Sequence, residues 1–233
     1  YSEKKASVRL QHLLTMSSAF DGNDSNYDSP GNEENMYPQD NWVEWALNLP
    51  MAEDRNSGDR WNYFTAGVVL LGDIIHQTVP GGLEQYADEK LFKPLGIRRY
   101  FWLHTPQGVA NTAGGIRLTA LDFARFGQLY KNKGKWNDQQ IIPESWVETS
   151  FQKHIRTTIP PNEYGYLWWN KAYEVNGQAY EFFYCTGNGG NKIFVSADQD
   201  WVIVVTASAY GRSYGHRQVD TMMEEYIIPA IIK

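Results

Sequence analysis

The chain has 233 residues, 42% hydrophobic and 15% aromatic, enough for one large domain or two small ones with a sizeable core and an aromatic-lined cleft. Its formal net charge of -6 disfavours a nucleic-acid partner, because phosphate binding requires a basic face. The single cysteine excludes an internal disulfide framework, and the longest apolar run is too short to span a bilayer, so no membrane-spanning segment is expected.

The first predicted elements are a helix and a long polar loop. Apolar spacing predicts a helix over 7–16, with Ser7 as its candidate N-cap. The stretch 21–41 then carries six acidic residues and no Lys or Arg, and its Gly, Asn and Ser content is typical of a loop. Its start has a faint likeness to a calcium-binding loop, but Asn26 stands where Gly is required, so a solvated loop is the better interpretation. A short amphipathic helix follows at 41–49.

Helices dominate the middle of the chain. Thr65 can cap a helix, because its side chain can accept a bond from a free N–H of the first turn. Thr119 and Asp122 form a capping box at the head of another helix. The predicted segments are helices over 66–77 and 83–92, an extended piece at 116–118, a helix from Thr119 to about residue 131, and a helix over 143–152.

The last third changes character, because it is rich in the aromatic and β-branched residues that strands prefer. The predicted fold class is therefore α+β, of the α/β-sandwich type: an antiparallel sheet flanked by helices, joined to a mainly helical subdomain. The predicted organisation is a mainly helical region over 1–160, which holds the polar loop, and a region of strands with a C-terminal helix over 161–233. Strands are predicted in 164–169, 180–185, 192–196 and 201–207, with a hairpin connection at 197–200 and a final helix from Gln218.

Several common kinds of site find no support in the sequence. The five histidines are scattered, with no HExxH pair and no close cysteine partner, so no metal site is predicted. There is no Gly-x-Ser-x-Gly elbow and no phosphate-binding glycine loop ending in Lys and Ser or Thr. No cofactor is expected.

A tyrosine just before a helix is the first candidate for chemistry. Tyr63 closes a polar loop two residues before Thr65, so the helix over 66–77 would give both side chains a rigid support. The alternative is that Tyr63 is an ordinary core aromatic whose hydroxyl is satisfied locally, since tyrosine is common in cores. This stretch alone leaves both readings open.

A glycine-rich turn between two predicted strands is the second candidate. It reads Cys-Thr-Gly-Asn-Gly-Gly-Asn over 185–191. Glycines let backbone N–H groups approach a ligand closely, and an N–H at such a strand edge can stabilise an oxyanion. An ordinary hairpin loop is the alternative.

Taken in order, four parts of the chain resemble the superfamily of serine β-lactamases, penicillin-binding proteins and related esterases, nearest to its class C-like branch. The segment 7–18 resembles the helix that follows the nucleophile helix, and Tyr63-Phe64-Thr65 with the helix behind it resembles the Tyr-x-Asn motif. The segments 91–97 and 114–119 resemble structural landmarks further on. Gly187-Asn188-Gly189-Gly190 resembles the glycine-rich form of the third motif, elsewhere Lys-Thr-Gly or His-x-Gly. No single segment is specific for this superfamily, but the order and spacing of the segments together are a strong match.

The resemblance implies one β-lactamase-like domain, whose sheet in this superfamily also uses N-terminal strands, and a serine hydrolase that cleaves a small-molecule ester, amide or peptide through an acyl-enzyme. It implies that Tyr63, as phenolate or in a pair that shares a proton with a lysine, moves protons during catalysis. From their predicted placement, we hypothesise that Tyr164, Trp168, Trp169 and the polar loop at 21–41 line the cleft. The residues implied to bind substrate or the oxyanion are Thr65, Asn188, Gly189, Gly190 and Asn191.

Two departures from the pattern put the substrate in doubt. Thr65 stands where Asn is usual, which keeps a hydroxyl but loses the amide that orients substrate. The third motif has neither Lys nor His, which argues against a penicillin specialist. Cys185-Thr186-Gly187 can be aligned with Lys-Thr-Gly, but the register Asn188-Gly189-Gly190 is preferred because it keeps the next strand in phase.

The nucleophile of the superfamily lies in Ser-x-x-Lys, where serine and lysine share a helical face, upstream of the segment matching 7–18. The sequence fits this pattern at Ser2 to Lys5, too close to the next helix, and at Ser150 to Lys153, too late in the chain. We therefore interpret the chain as the C-terminal portion of a serine hydrolase whose nucleophile segment lies outside the given sequence.

Two other interpretations stay open. The chain could be a catalytically inactive binding or scaffold module that keeps the cleft. Alternatively, a missing N-terminal segment or a second chain could complete the sheet, which would otherwise expose an edge. The compartment is not fixed by the sequence, although the export of many relatives to the periplasm favours an exported protein.

Overall fold

The computed structural model describes residues 2–158, 163–212 and 214–232. Its helical segments include two π-helical turns, Asp88–Phe92 and Met223–Ile227, each continuous with an α-helix. The α-helices are α1 (Glu3–Ala6), α2 (Leu10–Leu14), α3 (Glu33–Met36), α4 (Trp42–Asn48), α5 (Thr65–Thr78), α6 (Gly82–Ala87), α7 (Ala120–Lys131), α8 (Glu144–Phe151), α9 (Tyr214–Met222) and α10 (Ile228–Ile231).

The strands form one large sheet and two small hairpins. The large sheet is antiparallel throughout, with six strands in the order β10-β9-β8-β7-β6-β5. The strands are β1 (Phe101–Trp102), β2 (Ile116–Arg117), β3 (Lys135–Trp136), β4 (Gln139–Gln140), β5 (Ile155–Arg156), β6 (Glu163–Tyr164), β7 (Trp169–Val175), β8 (Gln178–Gly187), β9 (Asn191–Ser196) and β10 (Val202–Val205).

The two faces of this sheet are covered by different helices. One face of β7 to β9, with Tyr173, Phe182 and Phe194 fully buried, packs against Val219 and Met223 of the C-terminal helical segment. On the other face, Val195 packs with aromatic and aliphatic side chains of α7 and α8. This is the predicted α+β class, a sheet between helices, and the prediction is confirmed.

A second core lies under the helical region and reaches the sheet. It joins α2, α4 and α5 to Trp61 and Phe64, and its edge includes Tyr164 and Trp169 of the sheet. Since burial of apolar area contributes roughly 25 cal/mol per Å², this shared core couples the helical region to the sheet. The predicted division at residue 160 lies outside the described residues and stays a prediction.

Capping chemistry explains several helix starts. The Thr119 Oγ1 accepts the Asp122 N–H over 3.2 Å at the head of α7, which confirms the cap that the predicted box assigned to Thr119. Two cap predictions are wrong. Ser7 follows α1 as its C-cap, and Arg9 stands at the N-cap of α2. Thr65 is the first residue of α5 rather than its cap.

The predicted strand at 164–169 is also wrong in part. The chain turns after Tyr164, where Leu167 has a φ of +60°, and a new strand begins at Trp169. Gly165 allows this turn, because a Cβ there would lie 2.1 Å from the Ser150 carbonyl oxygen. The final helix starts at Tyr214, four residues before the predicted Gln218.

Strand β10 lies at one edge of the large sheet. Among the described residues, β10 pairs only with β9. Its four residues Val202–Val205 are all partly exposed. No helix in the described part of the chain is long and apolar enough to cross a membrane.

Candidate active site

Tyr63 lies between the polar loop and α5, held by backbone hydrogen bonds on both sides. The Asn62 N–H donates to the Met16 carbonyl oxygen over 2.8 Å, and the Tyr63 carbonyl oxygen accepts the Asp24 N–H over 3.0 Å. The residue after it, Phe64, is buried in the core. The backbone at Tyr63 is therefore anchored to both α2 and the polar loop.

The phenol ring of Tyr63 belongs to an aromatic cluster at the end of the sheet. It stacks on Trp169 with ring centroids 6.1 Å apart and an interplanar angle of 22°, and it lies 6.1 Å from the Trp61 ring. Trp61 is buried, and its indole N–H has no hydrogen-bond partner among the described residues. Tyr63 itself stays partly exposed.

The groups around Tyr63 favour its neutral form. Burial, with smaller contributions from the acidic groups of Asp24, Glu33 and Cys185, raises the pKa of the phenol to about 12. Because every charged neighbour that acts on the phenol is an acid, the phenolate form would require a cation brought to the hydroxyl.

Thr65 is buried and its polar groups are engaged. It is 5% exposed, and its N–H donates to Oδ2 of Asp24 over 2.6 Å. Its side chain also hydrogen-bonds Asp24. Asp24, 41 residues earlier in the sequence, thus provides the N-cap that was predicted for Thr65. A contact between Thr65 and substrate stays a prediction.

The glycine turn connects β8 and β9, and two of its residues require glycine. Gly189 and Gly190 have φ values of +84° and +90°, in the left-handed region. A Cβ on Gly189 would lie 3.0 Å from the Tyr210 ring, and one on Gly190 would lie 2.9 Å from the Gly215 carbonyl oxygen. Conformation and close packing both explain the glycines.

The two asparagines of the turn bind neighbouring backbone. The Asn188 Oδ1 accepts the Gly211 N–H over 3.4 Å, and the Asn191 Oδ1 accepts the Ala207 N–H over 3.1 Å. The Asn191 Nδ2 donates to the Asn188 carbonyl oxygen over 2.8 Å. These bonds fix the turn against the segment after β10. Substrate or oxyanion binding by these side chains stays a prediction.

The sheet brings Tyr63 and the turn to the same end of β8. Trp169, on which Tyr63 stacks, is the register partner of Tyr184 in β8. Cys185 is the next residue of β8, and the strand ends two residues later at Gly187. Burial raises the pKa of the Cys185 thiol to about 12, so the position contributes no charge at neutral pH.

Of the three aromatic residues predicted to line the cleft, one contacts Tyr63. Trp169 stacks on it, as described above. Trp168 is 3% exposed and packs with Phe126 and Tyr130 on the other face of the sheet, and Tyr164 is 2% exposed. The predicted cleft-lining role of Trp168 and Tyr164 is therefore wrong for the described structure, because both are core residues.

A polar cleft of about 570 Å³ opens beside Asn62, the residue before Tyr63. Its walls combine carboxylates of the polar loop with two arginines. A larger cavity of about 1200 Å³ lies between α1, α4 and α5, and its lining includes none of the predicted site residues. The smaller cleft is lined by Asp21, Asn23, Asn26, Asp28, Ser29, Pro30, Arg55, Arg60, Asn62 and Thr158.

Neither Ser-x-x-Lys match forms a serine–lysine pair. Ser2 Oγ caps α1 by accepting the Lys5 N–H over 3.2 Å, while the Lys5 Nζ donates to the Leu47 and Leu49 carbonyl oxygens. The second pair is engaged elsewhere as well: Ser150 Oγ donates to the Trp146 carbonyl oxygen, and the Lys153 Nζ forms ion pairs with Glu163 and Glu181.

Two polar features of the site were not predicted. Asp24 binds the first N–H of α5 from far away in sequence, and its place in a glycine- and asparagine-rich loop is the only local signal of a cap. His216 of α9 reaches the end of β8, where its Nδ1 lies 3.3 Å from the Thr186 Oγ1. In the described part of the chain, no three His, Cys, Asp or Glu side chains converge to hold a metal ion.

Comparisons with solved structures agree on one fold. A Bacillus anthracis protein, provisionally assigned as a 6-aminohexanoate-dimer hydrolase, aligns with a TM-score of 0.74 at 20% identity, over 93% of this chain and 59% of its own. A penicillin-binding protein from Bacillus halodurans aligns with a TM-score of 0.66 at 17% identity, over 96% of this chain and 72% of its own. A D-stereospecific amidohydrolase from Streptomyces sp. aligns with a TM-score of 0.65 at 16% identity, over 94% of this chain and 72% of its own. At these identities the likeness concerns the fold.

The family comparison covers most of the chain. The Beta-lactamase family matches residues 1–222, which includes Tyr63 and the glycine turn. A search of curated proteins by sequence gives no match. The chain spans 59% of the length of the Bacillus anthracis structure. With its sheet, its helical region and this match, the chain belongs to the beta-lactamase family.

Proposed function

We propose that this chain forms part of a serine hydrolase that cleaves an ester or amide bond through an acyl-enzyme. The observation that carries the proposal is that Tyr63 and the glycine turn lie towards the same end of β8. A phenol that can exchange a proton and backbone N–H groups that can bind an oxyanion are two of the parts that acyl transfer requires.

The nucleophilic serine is proposed to come from a segment outside this chain. Its Oγ forms a bond to the carbonyl carbon while its proton passes to Tyr63, and Tyr63 then protonates the leaving alcohol or amine. Water attacks the resulting acyl ester and releases the acid and the free serine. Because burial and the acidic neighbours raise the pKa of Tyr63 to about 12, the incoming segment must place a cation, such as a lysine, beside the phenol.

The glycine turn is proposed to bind the oxyanion through backbone N–H groups between Gly189 and Asn191. The side chains of Asn188 and Asn191 hold the turn in place, which would preorganise those groups. In the third-motif alignment, the Cys185-Thr186-Gly187 register stays the alternative, and it would place Cys185 where the motif elsewhere has a lysine.

The substrate is proposed to be a small ester, amide or peptide. The names of the Bacillus anthracis and Streptomyces structures both describe hydrolysis of amide bonds, which supports an amide. With a neutral Cys185 where relatives of the family carry a cation, a penicillin-type carboxylate has no partner at that position.

A catalytically inactive binding module is the second candidate. It is favoured by the buried Thr65, whose contacts go to Asp24, and by the neutral Cys185. The open edge of β10 supports the further proposal that an N-terminal segment or a second chain completes the sheet.

Turnover of a chromogenic ester by the full-length protein separates these candidates. Tyr63→Phe removes only the hydroxyl, so it should lower turnover by at least 100-fold while leaving thermal melting unchanged. Tyr27→Phe is the matched control, because Tyr27 lies in the polar loop and is 79% exposed. Wild-type turnover in Tyr63→Phe would reject the catalytic role, and an inert full-length protein would favour the binding module.

A further inference from the structure

Asp24 binds the backbone on the C-terminal side of the Tyr63 side chain. Its N–H donates to the Tyr63 carbonyl oxygen over 3.0 Å. Its Oδ2 accepts the Thr65 N–H over 2.6 Å, and its Oδ1 accepts the Glu33 N–H over 2.8 Å. One residue of the polar loop thus links Tyr63, the start of α5 and the start of α3.

No other side chain in the described part of the chain caps α5. Phe64 occupies the N-cap position and has no acceptor, so the first N–H of this 14-residue helix depends on the Asp24 carboxylate. A helix N-terminus favours a negative charge, and a charged acceptor there is stronger than a neutral one. Burial nevertheless raises the pKa of Asp24, and the Thr65 hydrogen bonds only partly oppose this effect. The carboxylate is held where desolvation works against its charge.

The polar loop is built to hold Asp24 in this position. The Asn32 side chain is 1% exposed, and its Nδ2 donates to the carbonyl oxygens of Asn23, Asp24 and Asn26 over 3.0–3.3 Å. The loop backbone around Asp24 is therefore fixed from inside rather than solvated throughout.

We propose that Asp24 is a positioning residue for Tyr63, which fixes the direction in which the phenol leaves the backbone towards the glycine turn. This inference rests on the function proposed above for Tyr63. Its carboxylate has a second effect, because the negative charge adds to burial in raising the pKa of the phenol. Two substitutions of Asp24 can therefore separate its effect on the position of the phenol from its effect on the pKa of the phenol.

The test measures the rate at which a fluorophosphonate probe labels the full-length protein, as a function of pH and well below the melting temperature. Asp24→Asn removes the charge and one acceptor, so the plateau rate should fall at least tenfold and the pH of half-maximal rate should move down. Asp24→Glu keeps the charge but displaces it, so the rate should fall without that shift.

Two controls make the result specific. Glu53→Gln removes an exposed carboxylate that lines neither cleft, and its labelling rate should stay within twofold of the wild type at every pH. Asn41→Ala removes the side chain that caps α4, so it should lower the melting temperature without changing labelling.

The proposal is overturned if Asp24→Asn and Asp24→Glu both label within twofold of the wild type with the same pH midpoint, even when they melt earlier. If Asp24→Asn does not melt cooperatively, Asp24→Glu decides alone, and a wild-type labelling rate overturns the proposal. Tyr63→Phe distinguishes a failure of the function proposed for Tyr63 from a failure of the positioning role proposed for Asp24. Full labelling of that variant rejects the function of Tyr63 itself, whereas slow labelling beside normal Asp24 variants rejects only the positioning role.

Discussion

The ion cluster under the C-terminal helix gives the sharpest stability prediction. Asp220 of α9 accepts the Tyr173 hydroxyl over 2.7 Å and the Lys192 Nζ over 3.1 Å on Oδ1, and the Lys171 Nζ lies 3.2 Å from Oδ2. The Lys192 side chain is only 4% exposed. We expect Asp220→Asn to destabilise the protein, because it leaves that lysine buried without a counter-charge.

The size of the effect follows from burial. Removing one partner of a fully buried pair costs about 3–5 kcal/mol, but the Asp220 side chain is 29% exposed, so water can replace part of its role. The expected loss is about 2–3 kcal/mol, or a fall of roughly 5–10 °C in melting temperature for a domain of this size. Urea unfolding and calorimetry measure both quantities. Asp200→Asn, which removes an exposed carboxylate in the hairpin after β9, is the matched control.

The effect also has a defined pH dependence. Burial alone would raise the pKa of Asp220, but the Tyr173 hydrogen bond and the two lysines outweigh it and lower the pKa below the ordinary 3.8. A lowered pKa in the folded state stabilises the protein above the unfolded pKa, and this contribution is lost as the pH falls through the folded pKa. The difference between wild type and Asp220→Asn should therefore be full at pH 7 and shrink below about pH 4. Equal stability of the two proteins at pH 7 would refute this reasoning.

Two further substitutions test the turn and the core. Gly190→Ala should slow ester turnover at least tenfold, because a Cβ at φ +90° would lie 2.9 Å from the Gly215 carbonyl oxygen and displace the turn; turnover equal to wild type would contradict this. Phe194→Ala should lower the free energy of unfolding by about 3–5 kcal/mol, since Phe194 is fully buried between the sheet and the C-terminal helix. Tyr226→Ala, at a side chain 66% exposed on that helical segment, should change it by less than about 1 kcal/mol, as measured by urea unfolding.

Local chemistry accounts for the parts of the fold that sequence predicted well. The capping box of Thr119 and Asp122 lies within one turn of chain, and it marks the start of α7 correctly. The turn between two strands at 185–191 was also predicted from local sequence, and the structure adds that Gly189 and Gly190 have a left-handed backbone. Such signals need no knowledge of the neighbours in space.

The rest depends on contacts between distant segments. The cap of α5 comes from Asp24, 41 residues before Thr65, so no pattern around α5 could reveal it. Trp168 and Trp169 are adjacent in sequence, but they face opposite sides of the sheet, and only the strand start at Trp169 decides which of them meets Tyr63. Sequence predicted the candidate site residues but not the side chains that hold them.

The proposed function depends on a proton exchange between Tyr63 and a nucleophilic serine, which we propose to lie in a Ser-x-x-Lys segment of the full-length protein. Mass spectrometry of the full-length protein after fluorophosphonate treatment tests it most directly. The account predicts a single adduct on the serine of a Ser-x-x-Lys segment, formed at least 100-fold more slowly in Tyr63→Phe. An adduct that forms equally fast in both proteins, or no adduct on the wild type, would contradict it.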